Sequence, residues 1–338
     1  MMEFKEFCDY VKDEVIKYLP PQFNDAEVSV NVIQKNNNTQ LTGLTIRTEG
    51  CTISPNIYLD NYYAQYQHGM ELDLVCEQIA MMHLKHMNPG EALADIVDNF
   101  QNVDFIKSHV VVSLINAEKN ERMLEDTPHR LKEDLAIIYK VYLGSEGENV
   151  GTVTVKDSHM EMWGLTEPEL YECAMKNSKE LMPVEVEDIG TVLSEMGFQV
   201  GVPIMSEAPA LYVISNKQRC NGAAGILYSD CLEQLSDKLG SDLYILPSSV
   251  HETLALSADG GKDVEMLAQM VREVNATQVS EQEQLSDHVY KYDAKAKTFS
   301  LADVAGKDLK VSEDKAKYET KNETRNAEAA SARPRRHR

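Results

Sequence analysis

Basic residues are in short supply: 33 Lys and Arg stand against 55 Asp and Glu, for a formal net charge of −22. A field of that sign repels phosphate backbones and anionic bilayers, which argues against nucleic acid as a partner of the folded body. No apolar run reaches the roughly 18 residues that a membrane-spanning helix requires. The opening stretch, MMEFKEFCDYVKDEVIKYL, lacks the basic segment and apolar block of a signal peptide. Six cysteines, Cys8, Cys51, Cys76, Cys173, Cys220 and Cys231, are scattered with no CxxC pair, which suits neither a zinc knuckle nor a disulfide scaffold. Walker A, dinucleotide-binding and EF-hand motifs are missing as well, and no cofactor is expected. These absences describe a soluble cytoplasmic protein with reduced, packed thiols. Tryptophan is down to a single residue, Trp163, which the SHMEMWGLTEPE context places as an anchor for the loop entering a helix.

What is present is ordinary globular material, with 43% hydrophobic and 26% charged residues over 338 positions, enough chain for two cores. Residues 2–19 space Phe4, Phe7, Cys8, Val11, Val15 and Leu19 as an amphipathic helix, and Pro20-Pro21 ends it. Val28, Val30 and Val32 alternate, Asn36-Asn37-Asn38 supplies a turn, and Leu44 and Ile46 alternate again, which predicts a hairpin. Helices follow over about 58–69, 71–87 and 91–99. From His109 the text becomes strand-like (VVVSLI), and the polar AEKNERMLEDTPH segment after it marks a boundary.

Residues 135–143 and 150–155 form a second predicted hairpin closed by GSEGEN, and Thr166-Glu167-Pro168-Glu169 opens a capped helix that runs to Leu181. Strands are expected at 210–215, 223–228, 242–246 and 252–257, with helices at 230–239 and 262–274. Strands arriving in adjacent pairs between single helices indicate an α+β fold, an antiparallel or mixed sheet with helices mainly on one face. The expected organisation is an N-terminal α+β domain over 1–116, a C-terminal α+β domain over 117–304 and a disordered charged tail over 305–338.

Candidate chemistry concentrates in LPSSVHE. Ser249 and His251, with Glu252, have the residue types of a nucleophile, a base and an orienting acid, yet the G-x-S-x-G elbow is absent. The favoured reading is a strand connection, with Ser248 and Ser249 bonding local backbone, Leu246 and Leu254 packed inward, and Ser248 on a ligand or partner surface. HETLA fails as a zinc motif because Ala255 stands where a second histidine is needed. His83 and His86, one helical turn apart, are weak metal candidates without a third ligand. Tyr58, Tyr62 and Tyr66 recur every four residues and offer either a packing face or a ligand surface. The arginine-rich end, Arg333–Arg338, is the one segment suited to nucleic acid or an acidic partner.

The segments SPNIYLDNYYAQYQHGMELD, LEDTPHRLKEDLAIIYKVYL, MWGLTEPELYECAMKN and NGAAGILYSDCLEQLSDKLGSDLYILPSSVHETLAL resemble an uncharacterised bacterial family of unknown function, common in gut Clostridia. The resemblance covers about residues 2–290, and LYILPSSVHE is its most specific element. It implies a bacterial, cytoplasmic protein associated with accessory or mobile-element genes, and it carries over no activity, cofactor or catalytic residue. The resulting expectation is a non-catalytic binding or regulatory module with an unidentified protein or small-molecule partner. A hydrolase using Ser249 and His251 is the alternative.

Overall fold

The computed structural model of the protein describes residues 1–49, 54–86, 99–146, 149–195, 197, 210–261 and 263–303. Cys51, all but Asn99 of the helix expected at 91–99, and the tail from 305 with Arg333–Arg338 lie outside the described residues. The chain divides into two compact units, Met1–Asp95 and the remainder from Ile96 onward.

In the first unit, helix α1 (Phe4–Glu14) passes into a 3-10 turn at Val15–Tyr18 before the prolines stop it. Strands β1 (Glu27–Gln34) and β2 (Gln40–Arg47) pair antiparallel across the asparagine turn. Asn37 and Asn38 take positive φ there (57° and 56°), a conformation that asparagine tolerates better than most residues. Strand β3 (Asn56–Tyr58) adds to β2, and helices α2 (Leu59–Gln67) and α3 (Leu72–His86) follow. Phe7 and Val11 of α1, Leu44 and Ile46 of β2, and Val75 and Ile79 of α3 share one buried cluster.

The second unit begins with α4 (Val103–His109), β4 (Val110–Asn116) and the short α5 (Glu121–Leu124). Strands β5 (His129–Lys132), β6 (Leu135–Glu146) and β7 (Asn149–Thr154) come next, then helices α6 (Asp157–Trp163) and α7 (Glu167–Leu181). After these come β8 (Val184–Asp188), α8 (Ile189–Glu195), β9 (Leu211–Asn216) and α9 (Ser229–Leu239). The unit continues with β10 (Leu243–Pro247), β11 (Thr253–Ser257), α10 (Val264–Gln278), β12 (Tyr290–Asp293) and β13 (Thr298–Leu301). One sheet has the order β4-β6-β5 with β7 also on β6, and the other has the order β13-β12-β10-β11-β9-β8. All described pairings are antiparallel, so the α+β class holds. None of the described helices is long and apolar enough to cross a membrane.

Two sequence expectations are displaced. Strand β4 pairs with β6 from Val110↔Val141 to Asn116↔Leu135, so the strand expected to close the first domain at residue 116 belongs to the second unit. The strand expected at 223–228 is a 3-10 helix, Gly222–Leu227. Its small residues let the backbone press flat against the six-stranded sheet. A Cβ on Gly222 would stand 2.4 Å from Ser215 Oγ and 2.6 Å from the His251 carbonyl, and one on Gly225 would stand 2.9 Å from Ile214 Cγ2. The capped helix forms as read: Thr166 N–H donates to Glu169 Oε2 at 2.9 Å. Trp163 is buried and donates from Nε1 to the Phe100 carbonyl at 2.7 Å, consistent with its anchoring role.

Candidate functional site

LPSSVHE is the connection from β10 to β11, which pair antiparallel with Leu246 opposite Leu254. Leu246 is buried, and Leu254 packs against the same small cluster. In the turn, Ser249 Oγ accepts from the His251 backbone N–H at 3.0 Å, and Ser249 N–H donates to the Glu252 carbonyl at 3.0 Å. Ser249 makes no hydrogen bond to the His251 ring. Ser248 is half-buried beside it.

The imidazole of His251 turns toward the loop after β9. Its Nδ1 accepts from the Asn221 backbone N–H at 3.2 Å, which puts the proton of the neutral ring on Nε2, 3.7 Å from Glu283 Oε1. Burial pushes the His251 pKa below its ordinary value, against the opposing pull of Glu283. A ring whose one lone pair is held by a backbone amide cannot take a proton from Ser249. The His251 carbonyl in turn accepts from Ser215 Oγ at 2.8 Å. Asn221, held at φ 53°, receives at Oδ1 both Lys140 Nζ (2.9 Å) and Ser113 Oγ (3.1 Å). The cluster therefore fastens β4, β6, β9 with the loop after it, and the β10–β11 turn together, and LPSSVHE is one of its fasteners.

The other sequence candidates occupy different surroundings. His83 is buried with neither ring nitrogen bonded among the described residues, and its ring meets that of Phe23 edge to face, whereas His86 is exposed at the end of α3. No group of three or more potential metal ligands occurs among the described residues. Tyr66 stacks on Phe7 and accepts from Met2 N at 3.0 Å, and Tyr62 packs against the first unit's core. Tyr58 sits under the Lys35 ammonium, 4.4 Å from its ring centroid.

Open space is found elsewhere, between α9 and the strand β8. A groove of about 470 Å³ runs there, with Val184 and Val186 on one wall and Tyr228, Cys231, Gln234 and Lys238 on the other. Pro183 follows α7 closely and redirects the chain, and the alternation Val184-Glu185-Val186-Glu187 then forms β8 with both valines on the groove side. Lys179, at the end of α7, pairs with Asp230 at 2.9 Å. Lys238 lies 4.6 Å from the Tyr212 ring centroid and forms no ion pair among the described residues. Burial pushes both the Tyr228 hydroxyl and the Cys231 thiol up to about 12, so each stays protonated at neutral pH. Such a thiol is no nucleophile.

β8 is the last strand of its sheet, and among the described residues nothing pairs with its far side. Sequence reading passed over this site because VEVE is too short to stand out, although its period-2 alternation was there to be seen. The two lysines carried no local signal, since α7 and α9 bring them together only in the fold.

The second unit is thus an antiparallel α+β unit whose terminal strand β8 adjoins a helix-walled groove. The chain belongs to the family of unknown function DUF5688, whose model matches residues 4–294. No curated protein and no solved structure matches it.

Proposed function

We propose that the protein is a non-catalytic binding or regulatory module of the cytoplasm and that the groove between α9 and β8 receives its ligand. The observation that carries this reading is the groove itself. At about 470 Å³ it falls within the range of about 300–1,000 Å³ typical of ligand sites. Its walls combine exposed apolar surface, Val186 foremost, with two ammonium groups and a phenol. The free thiols of Cys8 and Cys76 in the first unit's core suit a reducing compartment. The hydrolase alternative loses support from the commitment of Ser249 Oγ and His251 Nδ1 to backbone N–H groups.

The test is a thermal-shift screen of a small-molecule and peptide library on the wild type and on Val186→Arg, which fills the groove from an exposed position. Compounds that stabilise the wild type should lose their effect in the variant. Stabilisers acting equally on both would place binding elsewhere and end this reading. A broad fluorophosphonate probe should leave the protein unlabelled, and stoichiometric labelling at Ser249 that disappears in His251→Ala would promote the hydrolase.

A further inference from the structure

Resting on the groove as the binding site, we infer that its ligand is an extended peptide segment of another protein, added to β8 as a seventh strand. Backbone geometry supplies the first reason. An edge strand offers a row of unpaired N–H and C=O groups, and a peptide laid along it satisfies them while alternate side chains enter any adjoining pocket. Here the pocket adjoins the edge directly: Val184 and Val186 belong both to β8 and to the groove wall. At the far side of the sheet, β13 is also terminal, but none of its residues lines this groove.

Charge supplies the second reason and selects the occupant. The groove holds two lysines, Lys179 and Lys238, against one carboxylate, Asp230, in a chain with a large acidic excess. Lys179 and Asp230 neutralise each other, which leaves the Lys238 ammonium to meet a carboxylate of the incoming segment. On the opposite face of β8, Glu187 is answered by Arg219 at 2.6 Å, while Glu185 is exposed and has no such partner among the described residues. A matching peptide therefore alternates, with apolar residues and a carboxylate toward the groove and a basic residue opposite Glu185.

A second copy of β8 does not fit this pattern. Antiparallel self-pairing centred on Val186 would set Glu185 against the partner strand's Glu187, and like charges directly opposite are destabilising. The arginine-rich segment RPRRHR is basic and brings no carboxylate side chain to Lys238.

The experiment selects random displayed heptapeptides on the immobilised full chain, then measures the enriched peptides in solution as fluorescein conjugates. Enriched sequences should alternate as described. Val186→Arg and Lys238→Glu, both at exposed positions, should each weaken binding by about tenfold or more, as loss of one well-made contact does. Hydrogen exchange should show the amides of 184–188 gaining protection when the peptide binds. Absence of enrichment, or binders indifferent to both variants, overturns the inference. Binders blocked by Val186→Arg that leave the amides of 184–188 unprotected also overturn strand addition, while the groove survives as a site. A concentration-dependent dimer dissolved by Val186→Arg, with no peptide binding, would mean that β8 pairs with itself.

Discussion

Ser249 illustrates how a residue type that suggests catalysis can be consumed by a turn. Its hydroxyl accepts from the His251 N–H two residues on, a backbone donor that the hairpin connection otherwise leaves without a partner. Ser249→Ala should therefore destabilise the protein by about 0.5–2 kcal/mol, the range seen when a capping hydroxyl is lost. Urea unfolding measures it, and an unchanged or raised midpoint would mean that the hydroxyl does not serve the fold. His83 makes the opposite case, a buried polar residue whose ring nitrogens find no hydrogen-bond partner among the described residues. Burial holds its pKa below the ordinary value, so the folded state prefers the neutral ring while the unfolded chain protonates near 6.5. The stability linked to His83 is thus fully present above about pH 6.5 and is lost as pH falls through the lower folded-state pKa. His159 and His251 are shifted in the same direction and His288 in the other, so the informative quantity is a difference. His83→Leu should flatten the decline in stability between about pH 6.5 and 5 relative to wild type, and two parallel pH profiles would contradict this.

Among the elements, the 3-10 helix Gly222–Leu227 shows why a run of apolar residues is poor evidence for a strand. AAGIL reads as a buried strand, but its small side chains serve close approach: Gly222 sits against Ser215, Asn216 and His251 with no room for a methyl group. Gly222→Ala should cost about 1–3 kcal/mol as the surrounding atoms are forced apart. Chemical denaturation would detect this, and a neutral result would mean that the loop yields freely. Elements with strong periodic signals were legible from the text: α1 with its prolines, the asparagine hairpin, the capped α7, and the β10–β11 pair. Strands β3, β5, β8, β12 and β13 were missed, since three to five residues give little periodicity and their pairing partners are distant in the chain. The turn after β5 shows such distant support. Asp134 accepts from Ser286 Oγ and from Tyr290 Oη, both at 2.6 Å. The site was less legible than the fold. LPSSVHE could be seen but not its use, and the groove's lysines are assembled only by tertiary packing.

At the scale of the whole molecule, the family match runs through both units, yet each carries its own core. Phe7, Leu44 and Ile79 are fully buried in one cluster, and Leu114, Tyr139 and Leu243 in another. Units with separate cores unfold as separate cooperative transitions when the free energy shared between them is small beside that within each. Scanning calorimetry is therefore expected to resolve two transitions. Core truncations assign them, because replacing a buried leucine by alanine costs about 2–5 kcal/mol and acts only where that leucine packs. Leu44→Ala should lower one transition and leave the other in place, and Leu243→Ala should do the reverse. His83→Leu should alter the acid sensitivity of the transition that Leu44→Ala moves, since both residues belong to the first unit. A single transition lowered by both truncations would show that the two cores fold as one and that a ligand held at β8 can stabilise the entire chain. Two independent transitions would confine that stabilisation to the second unit, leaving the first free to take a partner of its own.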